Sequence, residues 1–296
     1  MAVLSQQRPD FKARKKRLGT HDFRTDIRDD LKQKLLDNCR EQIMRLQEKT
    51  AIITGGGSGM GRSASLLFAR EGAKVAVVDI RPETGNAVVN DIKQAGGEAI
   101  FIKTDLTKPD EIESMVDQVI QQFEKVDILI TNAGWDEIKF FLDQNPDDWA
   151  YMINLNLMHH IYCCRAVLPH MIERKYGKIV TCSSDAGRAG NPGESIYSAC
   201  KGGVIAFTKT LAREMGRNNI TVNCVSPGIT DTPLAEEMAA KHPAGEKIRE
   251  AVIKATPLRR TAKPEEIAYA YLYFASDESS FVTGQVLSIS GGMLMP

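Results

Sequence analysis

The chain has 296 residues, of which 43% are hydrophobic and 26% are charged, as is usual for a globular protein in water. Its formal net charge is zero, so the field of the whole molecule gives no reason to expect nucleic acid as a partner. No apolar run approaches the roughly 18 residues of a membrane-spanning helix, and the N-terminus lacks the apolar stretch of a secretory signal. These features predict a cytoplasmic protein without a membrane or nucleic-acid partner.

Residues 1–47 precede the first predicted strand and differ in character from the rest. Residues 1–49 carry thirteen Lys and Arg against eight Asp and Glu. The second half of this segment has apolar residues at three- and four-residue spacing, namely Leu31, Leu35, Leu36, Cys39, Ile43 and Leu46. That spacing predicts an amphipathic helix. We predict a basic extension over residues 1–47, whose helix packs against its own domain or a neighbouring subunit, and one domain over residues 48–296.

From residue 50 onward, short apolar runs alternate with helical patterns. Seven runs rich in Val and Ile cover residues 50–54, 74–79, 99–103, 127–131, 178–182, 221–225 and 285–289. Helical patterns between them include residues 61–70, 110–123, 148–174 and 197–215. Short continuous apolar runs are typical of strands buried on both faces of a parallel sheet. The alternation predicts an α/β fold, a single doubly wound Rossmann domain with a seven-stranded parallel sheet and helices on both faces.

A glycine-rich turn lies between the first predicted strand and the helix that follows. It reads Thr54-Gly55-Gly56-Gly57-Ser58-Gly59-Met60-Gly61. Glycines there let the backbone approach a pyrophosphate, whose negative charge is favoured at the N-terminus of a helix. A purely structural tight turn is the alternative, but the position between strand and helix favours a dinucleotide-binding turn.

The second predicted strand ends at Asp79. A carboxylate some 20 residues beyond the glycines can accept hydrogen bonds from the ribose hydroxyls of NAD and repels the 2′-phosphate of NADP. Arg62 and Arg81 lie close by in the sequence, so NADP remains the less favoured alternative. We therefore predict NAD as the cofactor.

The motifs resemble those of the short-chain dehydrogenase/reductase family over residues 48–296. The resemblance lies in Thr54-Gly55-x-x-x-Gly59-x-Gly61, Thr131-Asn132-Ala133-Gly134, Asn156, Ser184, Tyr197, Lys201, and Pro227-Gly228 with Thr232. Thr131 stands where the family has a first Asn. The resemblance implies nicotinamide-dependent interconversion of an alcohol and a ketone, a homotetramer, and a catalytic set of Asn156, Ser184, Tyr197 and Lys201.

The same resemblance implies the residues that contact the cofactor. Those of the glycine turn are Gly55, Ser58, Gly59, Met60 and Gly61. Those expected around the adenosine half are Asp79, Ile80, Asp105 and Leu106. Those expected near the nicotinamide half are Asn132, Ala133, Gly134, Tyr197, Lys201, Pro227, Gly228, Ile229 and Thr232.

The types and spacing of the catalytic residues suit alcohol oxidation. Tyr197 and Lys201 are four residues apart on a predicted helix and therefore share a face. A free tyrosine has a pKa of about 10, and we expect the Lys201 ammonium and an oxidised nicotinamide to lower it. Ser184 follows the fifth strand, at the edge where such sheets bind ligands, and can donate to the substrate oxygen. The adjacent Ser183 is expected to point to the opposite side.

The substrate prediction depends on a closer resemblance within the family. Trp135-Asp136, Ser184-Asp185-Ala186 and Arg188 resemble the 2-hydroxycyclohexanecarboxyl-CoA dehydrogenases, and 3-oxoacyl reductases are similar at a lower level. This implies a cyclic or other β-hydroxyacyl-CoA thioester as the small-molecule substrate. Arg188 or Lys139 could meet a coenzyme A phosphate, although a solvated cation is the commoner case. The stretch 230–261, between the sixth strand and the last helix, is predicted to form a substrate lid.

Three other functions are compatible with the sequence. A 3-oxoacyl-[acyl-carrier-protein] reductase would normally prefer NADPH, and Asp79 argues against that preference. A sugar or steroid alcohol dehydrogenase would use the same chemistry. A non-catalytic scaffold subunit would be expected to lack the tyrosine or the lysine, and Tyr197 and Lys201 are both present.

Cysteine and histidine spacing gives no metal site. The six cysteines form no C-x-x-C pair, and we expect them to be reduced thiols. His159 and His160 lie on a long apolar helix without a further ligand at metal spacing, so we interpret them as packing residues.

Overall fold

The computed structural model describes residues 44–295. The predicted extension falls almost wholly on residues outside that range, so its helix and the boundary at residue 47 stay predictions. The described chain begins beside the sheet, where the Leu46 side chain is fully buried. The Leu46 amide donates to the Glu71 carbonyl at 2.9 Å, and Arg45 forms an ion pair with the Glu71 carboxylate at 2.9 Å.

Seven parallel strands form one sheet in the order β3-β2-β1-β4-β5-β6-β7. Their bounds are β1 Thr50–Thr54, β2 Lys74–Asp79, β3 Glu98–Lys103, β4 Ile128–Thr131, β5 Gly177–Cys182, β6 Ile220–Pro227 and β7 Val286–Ile289. The predicted strands are confirmed with ends that shift by one or two residues. The order reverses between β1 and β4, the crevice in which doubly wound sheets bind ligands.

Helices cover both faces of the sheet. They are α1 Gly59–Arg70, α2 Pro82–Gln94, α3 Pro109–Phe123, α4 Pro146–Ile153, α5 His159–Arg174, α6 Ala186–Ala189, α7 Ser195–Met215, α8 Pro233–Lys241, α9 Gly245–Ala255 and α10 Pro264–Ala275. Alternate strand residues point to opposite faces, so Ile53 packs with α1, α2 and α10 while Ile52 packs with α3, α5 and α7. These two cores confirm the predicted fold class.

The helix predicted as one piece over residues 148–174 is interrupted. It begins earlier, with the Asn145 side chain accepting a hydrogen bond from the Asp147 amide at 3.2 Å. Between α4 and α5 lies a turn of π-helix, Asn154–Met158, which contains Asn156. A π-turn inserts an extra residue into the helical repeat and is frequent at functional sites. Residues 148–174 therefore form two helix segments whose side chains point in different directions on either side of the π-turn.

The predicted lid contains the two helices α8 and α9. Thr232 begins α8 by accepting a hydrogen bond from the Ala235 amide at 3.2 Å. An isolated bridge between Thr230 and Ala262 holds the two ends of the stretch together. Within residues 44–295, no helix has both the length and the apolar character that crossing a membrane requires.

Candidate active site

The glycine turn presents an open backbone cradle at the start of α1. Gly55 and Gly59 have φ of 63° and 51°, a region that glycine occupies without a steric penalty. A Cβ on Gly61 would stand 2.1 Å from the Gly55 carbonyl oxygen, and one on Gly59 would stand 3.1 Å from Cγ2 of Thr232. Ser58 and Met60 lie on the same turn and are partly exposed. The cradle fits a pyrophosphate held by backbone N–H groups.

Asp79 is fixed beside this cradle at the end of β2. Its Oδ2 accepts a hydrogen bond from the Gly57 amide at 3.1 Å, and its Oδ1 accepts one from the Arg81 amide at 3.1 Å. The Arg81 Nε lies 3.7 Å from Oδ1. Each carboxylate oxygen has a further lone pair, so Asp79 can still accept from ribose hydroxyls. Ile80 follows with 53% of its surface exposed.

Asp105 and Leu106, which are predicted to lie near the adenosine half of the cofactor, differ in exposure: Asp105 is partly exposed and Leu106 is buried. Asp105 accepts hydrogen bonds from the Thr107 amide and hydroxyl at 3.0 and 2.7 Å. Burial acts to raise the pKa of Asp105, but these bonds and the Lys108 ammonium hold it below its usual value. Leu106 is buried in the core with 5% exposure. Its side chain packs in the core, and its contact with a cofactor stays a prediction.

Asn132 holds the start of the glycine turn through hydrogen bonds to Thr54. Its amide nitrogen Nδ2 donates to the Thr54 carbonyl at 3.2 Å, and its Oδ1 accepts from the Tyr271 hydroxyl at 3.1 Å. The backbone amides of Asn132 and Ala133 both donate to Oγ1 of Thr54, at 2.9 and 3.2 Å. The Asn132 side chain thus joins β1 to α10.

The segment after β6 is anchored to β7 and the last loop. The Gly228 amide donates to the Ile289 carbonyl at 3.1 Å, and the Ile229 carbonyl accepts from the Ala262 amide at 3.0 Å. A Cβ on Gly228 would stand 2.8 Å from the Ser290 Cβ, so this position requires glycine. Pro227, Gly228, Ile229 and Thr232 thereby run along the carboxyl edge toward the glycine cradle.

Lys201 and Asn156 meet across Gly134. A Cβ on Gly134 would stand 3.0 Å from Oδ1 of Asn156 and 3.5 Å from Nζ of Lys201. The Lys201 Nζ donates to the Cys182 carbonyl at 3.0 Å and lies 5.5 Å from the ring centroid of Tyr197. The Lys201 side chain is almost completely buried. Three separate elements, β5, the π-turn and α7, therefore bring these groups to one place.

The two neighbouring serines face different partners. Ser183 donates from its hydroxyl to the Lys201 carbonyl at 2.8 Å, so it belongs to the packing between β5 and α7. The Ser184 hydroxyl accepts a hydrogen bond from the Ala186 amide at 3.2 Å and also interacts with the phenol of Tyr197. Ser184 is therefore the serine that stands beside the tyrosine.

The residues of the chain raise the pKa of Tyr197 well above its usual value. Burial is the main cause; negative charge on Asp136, Cys182 or Glu194 would add to it, while the hydrogen bond with Ser184 acts in the opposite sense. Burial also lowers the pKa of Lys201. Burial therefore outweighs the effect of the Lys201 ammonium in the protein alone, and the expectation that Lys201 and an oxidised nicotinamide together lower the Tyr197 pKa stays a prediction.

A cleft of about 280 Å³ lies between the loop after β4 and α8. Its apolar lining comes from Trp135, Ile138, Phe140, Leu234 and Met238, and Asp136 also lines it. Asp136 is only 5% exposed. Burial first, and then the neighbouring Glu194 carboxylate, raise its pKa to about 8. The sequence analysis quotes Trp135-Asp136 as part of a resemblance but gives Asp136 no role of its own.

The cations expected to meet a coenzyme A phosphate are engaged elsewhere. Lys139 pairs with Glu137 at 2.8 Å, and on α8 Lys241 pairs with Glu237 at 2.5 Å. The Arg188 guanidinium donates to the Val286 carbonyl at 2.5 Å, which directs it into the fold. This geometry gives no support to Arg188 as a phosphate ligand.

His159 and His160 are both fully buried, with ring centroids 3.9 Å apart. Nδ1 of His159 donates to the Leu155 carbonyl, and Nδ1 of His160 lies 2.6 Å from the Thr131 hydroxyl. Neither Nε2 has a hydrogen-bond partner in the described part of the chain. The five cysteines from Cys163 onward are free and buried, and no group of three metal-ligating side chains occurs among the described residues.

The chain is similar to known proteins over most of its length. Residues 55–294 match the family described as enoyl-(acyl carrier protein) reductase. The 3-oxoacyl-[acyl-carrier-protein] reductase of Thermotoga maritima is 40% identical over 252 residues, covering 85% of this chain and 100% of the relative. A subunit of (2S)-[(R)-hydroxy(phenyl)methyl]succinyl-CoA dehydrogenase from Thauera aromatica is 38% identical, covering 84% and 98%. The crystal structure of levodione reductase superimposes with a TM-score of 0.81 at 29% identity, covering 84% and 98%.

Fold, site and comparisons together define an oxidoreductase that acts on alcohol or keto groups. The chain belongs to the short-chain dehydrogenase/reductase family. Members of this family use nicotinamide cofactors, act on small molecules and typically form oligomers.

Proposed function

We propose that this enzyme oxidises the hydroxyl group of a β-hydroxyacyl-CoA thioester, cyclic or otherwise, with NAD as the cofactor. The observation that carries the reaction is the convergence of Ser184, Tyr197 and Lys201 at the carboxyl edge of β5 and on α7. The bound nicotinamide supplies the hydride-accepting ring. The protein supplies a group that removes the hydroxyl proton and groups that orient the substrate.

Tyr197 removes the proton from the substrate hydroxyl. Burial holds its pKa high, so forming the phenolate needs more positive charge than Lys201 alone provides. A bound oxidised nicotinamide, which is cationic, would supply that charge. In the reverse direction the same high pKa makes neutral Tyr197 a proton donor to the developing alkoxide.

Lys201 and Ser184 act on either side of the phenol. The Lys201 ammonium is oriented by the Cys182 carbonyl, and it favours negative charge on the tyrosine electrostatically. The Ser184 hydroxyl can donate to the substrate oxygen while its own oxygen accepts from the Ala186 amide. Asn156 holds the loop at Trp135 against the π-turn, so we assign it to positioning the groups around Lys201.

The choice of NAD rests on Asp79. Its carboxylate is held at the glycine cradle by the Gly57 amide, where the adenosine ribose of a dinucleotide would lie. A 2′-phosphate in that place would meet a buried negative charge, which costs binding energy. Arg81 lies close enough to compensate for part of this cost, and we therefore expect a preference rather than absolute selectivity.

The substrate class is supported by one relative and by the cleft. The Thauera relative carries the name of a hydroxyacyl-CoA dehydrogenase whose substrate bears a phenyl group. The cleft beside the catalytic residues has an apolar wall that includes Trp135 and Met238, which suits a ring or an acyl chain. Because Lys139 and Lys241 are paired within the protein, recognition is expected to centre on the acyl part.

A second candidate is a 3-oxoacyl-[acyl-carrier-protein] reductase, running the same chemistry toward the alcohol. The similarity to the Thermotoga maritima reductase over its full length favours it. The acid at position 79 favours the dehydrogenase, since Asp79 disfavours a phosphorylated ribose. A sugar or steroid alcohol dehydrogenase and a scaffold subunit have no specific observation in their favour. We also propose a cytoplasmic homotetramer, consistent with the family's tendency to oligomerise.

A direct test is a spectrophotometric screen with two cofactors and three substrate classes. The purified enzyme is offered NAD or NADP with alicyclic 3-hydroxyacyl-CoAs, straight-chain 3-hydroxyacyl-CoAs and free secondary alcohols. The proposal expects the highest kcat/KM with NAD and a thioester. Strong turnover of free alcohols without thioester turnover would refute the substrate class, and preferred reduction of 3-oxoacyl carrier protein with NADPH would favour the second candidate. Tyr197→Phe serves as the inactive control.

A further inference from the structure

The loop after β4 carries a buried acid that the catalytic scheme does not use. Asp136 follows Trp135 directly and lines the cleft with 5% of its surface exposed. Its Oδ1 accepts a hydrogen bond from the Glu137 amide at 2.8 Å. Its Oδ2 has no hydrogen-bond partner among residues 44–295. Oδ2 is not among the buried side-chain atoms that lack a partner, so it is accessible from the cleft that Asp136 lines.

The groups around Asp136 determine its charge. Glu194 precedes α7, Glu137 lies on the same loop, and Lys201 projects from α7. Lys139, Glu237 and Lys241 lie at the rim of the cleft in ion pairs with one another or with Glu137. Burial and the Glu194 carboxylate act against ionisation and raise the pKa of Asp136 to about 8. At neutral pH, Asp136 is therefore mostly a protonated carboxyl group.

A protonated carboxyl has one O–H to donate. Because Oδ1 is occupied by the Glu137 amide, the free donor is at Oδ2, on the cleft side. Its complement in a ligand is an oxygen that accepts. Asp136 follows Trp135, whose backbone is bonded to Asn156, and lies two residues after Gly134, which packs against Asn156 and Lys201, so it stands beside the groups that surround the reacting carbinol. In a β-hydroxyacyl thioester, an accepting oxygen close to that carbinol is the thioester carbonyl.

We propose that Asp136 is a specificity-determining residue that donates a hydrogen bond from its protonated carboxyl group to the thioester carbonyl of the substrate. This inference rests on the proposed function and names the group that selects its substrate class. Neutrality of Asp136 has a second effect, since an ionised Asp136 would oppose formation of the Tyr197 phenolate. The carboxyl proton of Asp136 thus donates to the substrate and also leaves Tyr197 easier to ionise than an Asp136 carboxylate would.

The test compares Asp136→Asn and Asp136→Leu with the wild type and with a control, Asp148→Asn, an exposed acid on α4. KM and kcat are measured from pH 6 to pH 10 with a 3-hydroxyacyl-CoA and with a secondary alcohol that lacks the thioester. We expect the wild-type KM for the thioester to rise as the pH passes about 8. Asp136→Asn retains a donor and should give a KM without that rise.

Asp136→Leu removes the donor and should raise KM for the thioester about tenfold, the effect of losing one good hydrogen bond. Its KM for the plain alcohol should stay within about twofold of wild type. Equal changes in both substrates, or an alkaline rise in KM that persists in Asp136→Asn, would overturn the inference while leaving the proposed function intact. A wild type that turns over no thioester would refute both proposals together.

A measurement that needs no turnover completes the test. Infrared difference spectra of the wild-type enzyme at pH 7 and pH 10 should show the carbonyl stretch of a protonated carboxylic acid that disappears at the higher pH. Asp136→Asn should lack this band, and Asp148→Asn should keep it. A band that is absent from the wild type at pH 7, or unchanged in Asp136→Asn, contradicts a protonated Asp136.

Discussion

Asn156 and Trp135 are joined by two reciprocal hydrogen bonds between one side chain and one backbone unit. The Trp135 amide donates to Oδ1 of Asn156 at 3.2 Å, and Nδ2 of Asn156 donates to the Trp135 carbonyl at 2.7 Å. A third bond from Nδ2 reaches the Met152 carbonyl at 3.0 Å. Asn156 therefore fixes the loop that carries the cleft residues to the helix that packs on the sheet.

Asn156→Ala should lower the free energy of unfolding by about 1–3 kcal/mol, because it leaves the Trp135 amide and carbonyl without their partners. It should also raise KM, since the cleft loop loses its anchor. Asn154→Ala, on the same π-turn, is the control, because no side-chain hydrogen bond of Asn154 occurs within the described residues. Denaturant titration and steady-state kinetics measure the two effects, and equal stability of both variants would contradict the role.

Replacing Tyr197 by Phe should lower kcat by about 10²–10⁴-fold, the range expected for loss of a general acid–base group. Affinity for NAD should change little, because the ring and its packing remain. Tyr176→Phe is the matched control, since the Tyr176 hydroxyl bonds to Asp277 outside the cleft. Stopped-flow turnover and a cofactor titration separate the two effects. Retention of more than about a tenth of kcat would exclude Tyr197 as the proton-transferring group.

Asp79→Ala should shift cofactor preference toward NADP. The change removes the carboxylate beside the ribose and releases the Arg81 side chain, whose Nε lies 3.7 Å from it. We expect the ratio of kcat/KM for NADP to that for NAD to rise at least tenfold, or by about 1.4 kcal/mol. Glu83→Ala removes an exposed acid from the first turn of α2 and should leave the ratio unaltered. If the ratio of kcat/KM for NADP to that for NAD were unchanged in Asp79→Ala, another group would determine which ribose is bound.

Gly61→Ala should weaken the binding of NAD, whereas Gly216→Ala should stabilise the protein. A Cβ at position 61 would stand 2.1 Å from the Gly55 carbonyl oxygen, so the cradle must deform and the Kd for NAD should rise at least tenfold. At position 216 the backbone has φ of −54° and a Cβ would meet nothing within 4 Å. That substitution should stabilise the protein by about 0.4–1 kcal/mol. Calorimetric binding and thermal melts measure these outcomes, and normal NAD affinity in Gly61→Ala would count against the cradle.

The buried histidines predict sensitivity to acid. Burial, and then the Lys201 ammonium, lower the pKa of His159 to about 3. Between pH 6.5 and pH 3 the unfolded chain binds a proton at this residue and the folded chain does not, so stability falls as the pH falls. From pH 7 to pH 5 the loss should be about 2 kcal/mol for His159.

His159→Phe should make the dependence of the unfolding free energy on pH shallower over this range. His170→Gln, at a partly exposed position on α5, is the control and should keep the wild-type slope. Chemical denaturation at several pH values provides the measurement. Parallel slopes for wild type and His159→Phe would mean that His159 is protonated in the folded protein.

The strands were predictable because a parallel sheet buries both faces of each strand, which leaves a continuous apolar run in the sequence. The end of β6 was missed because Ser226 and Pro227 interrupt that run. The common face of Tyr197 and Lys201 follows from helical periodicity alone. Helix α8 has no buried side chain, so it shows little of the amphipathic pattern by which helices are recognised.

The electrostatics of the cleft could not be predicted, because they depend on contacts between distant segments. Asp136 and Glu194 are brought together when the loop after β4 meets the loop before α7, where the Lys139 amide donates to the Gly193 carbonyl at 3.0 Å. Such a contact leaves no periodic trace in the sequence. The direction of the Tyr197 pKa therefore emerged only from the folded arrangement.

The π-turn at Asn154–Met158 sets the direction in which the side chains before and after it point, and both directions matter for the site. Each residue of an α-helix advances the side-chain direction by about 100°. The extra residue in the π-turn lets Asn156 point to Trp135 while Cys163 and Val167 still point into the core. If one residue there were deleted, either Asn156 would no longer reach Trp135, or Cys163 and Val167 would no longer point into the core. Insertions and deletions in this short segment should accordingly be far less tolerated than substitutions.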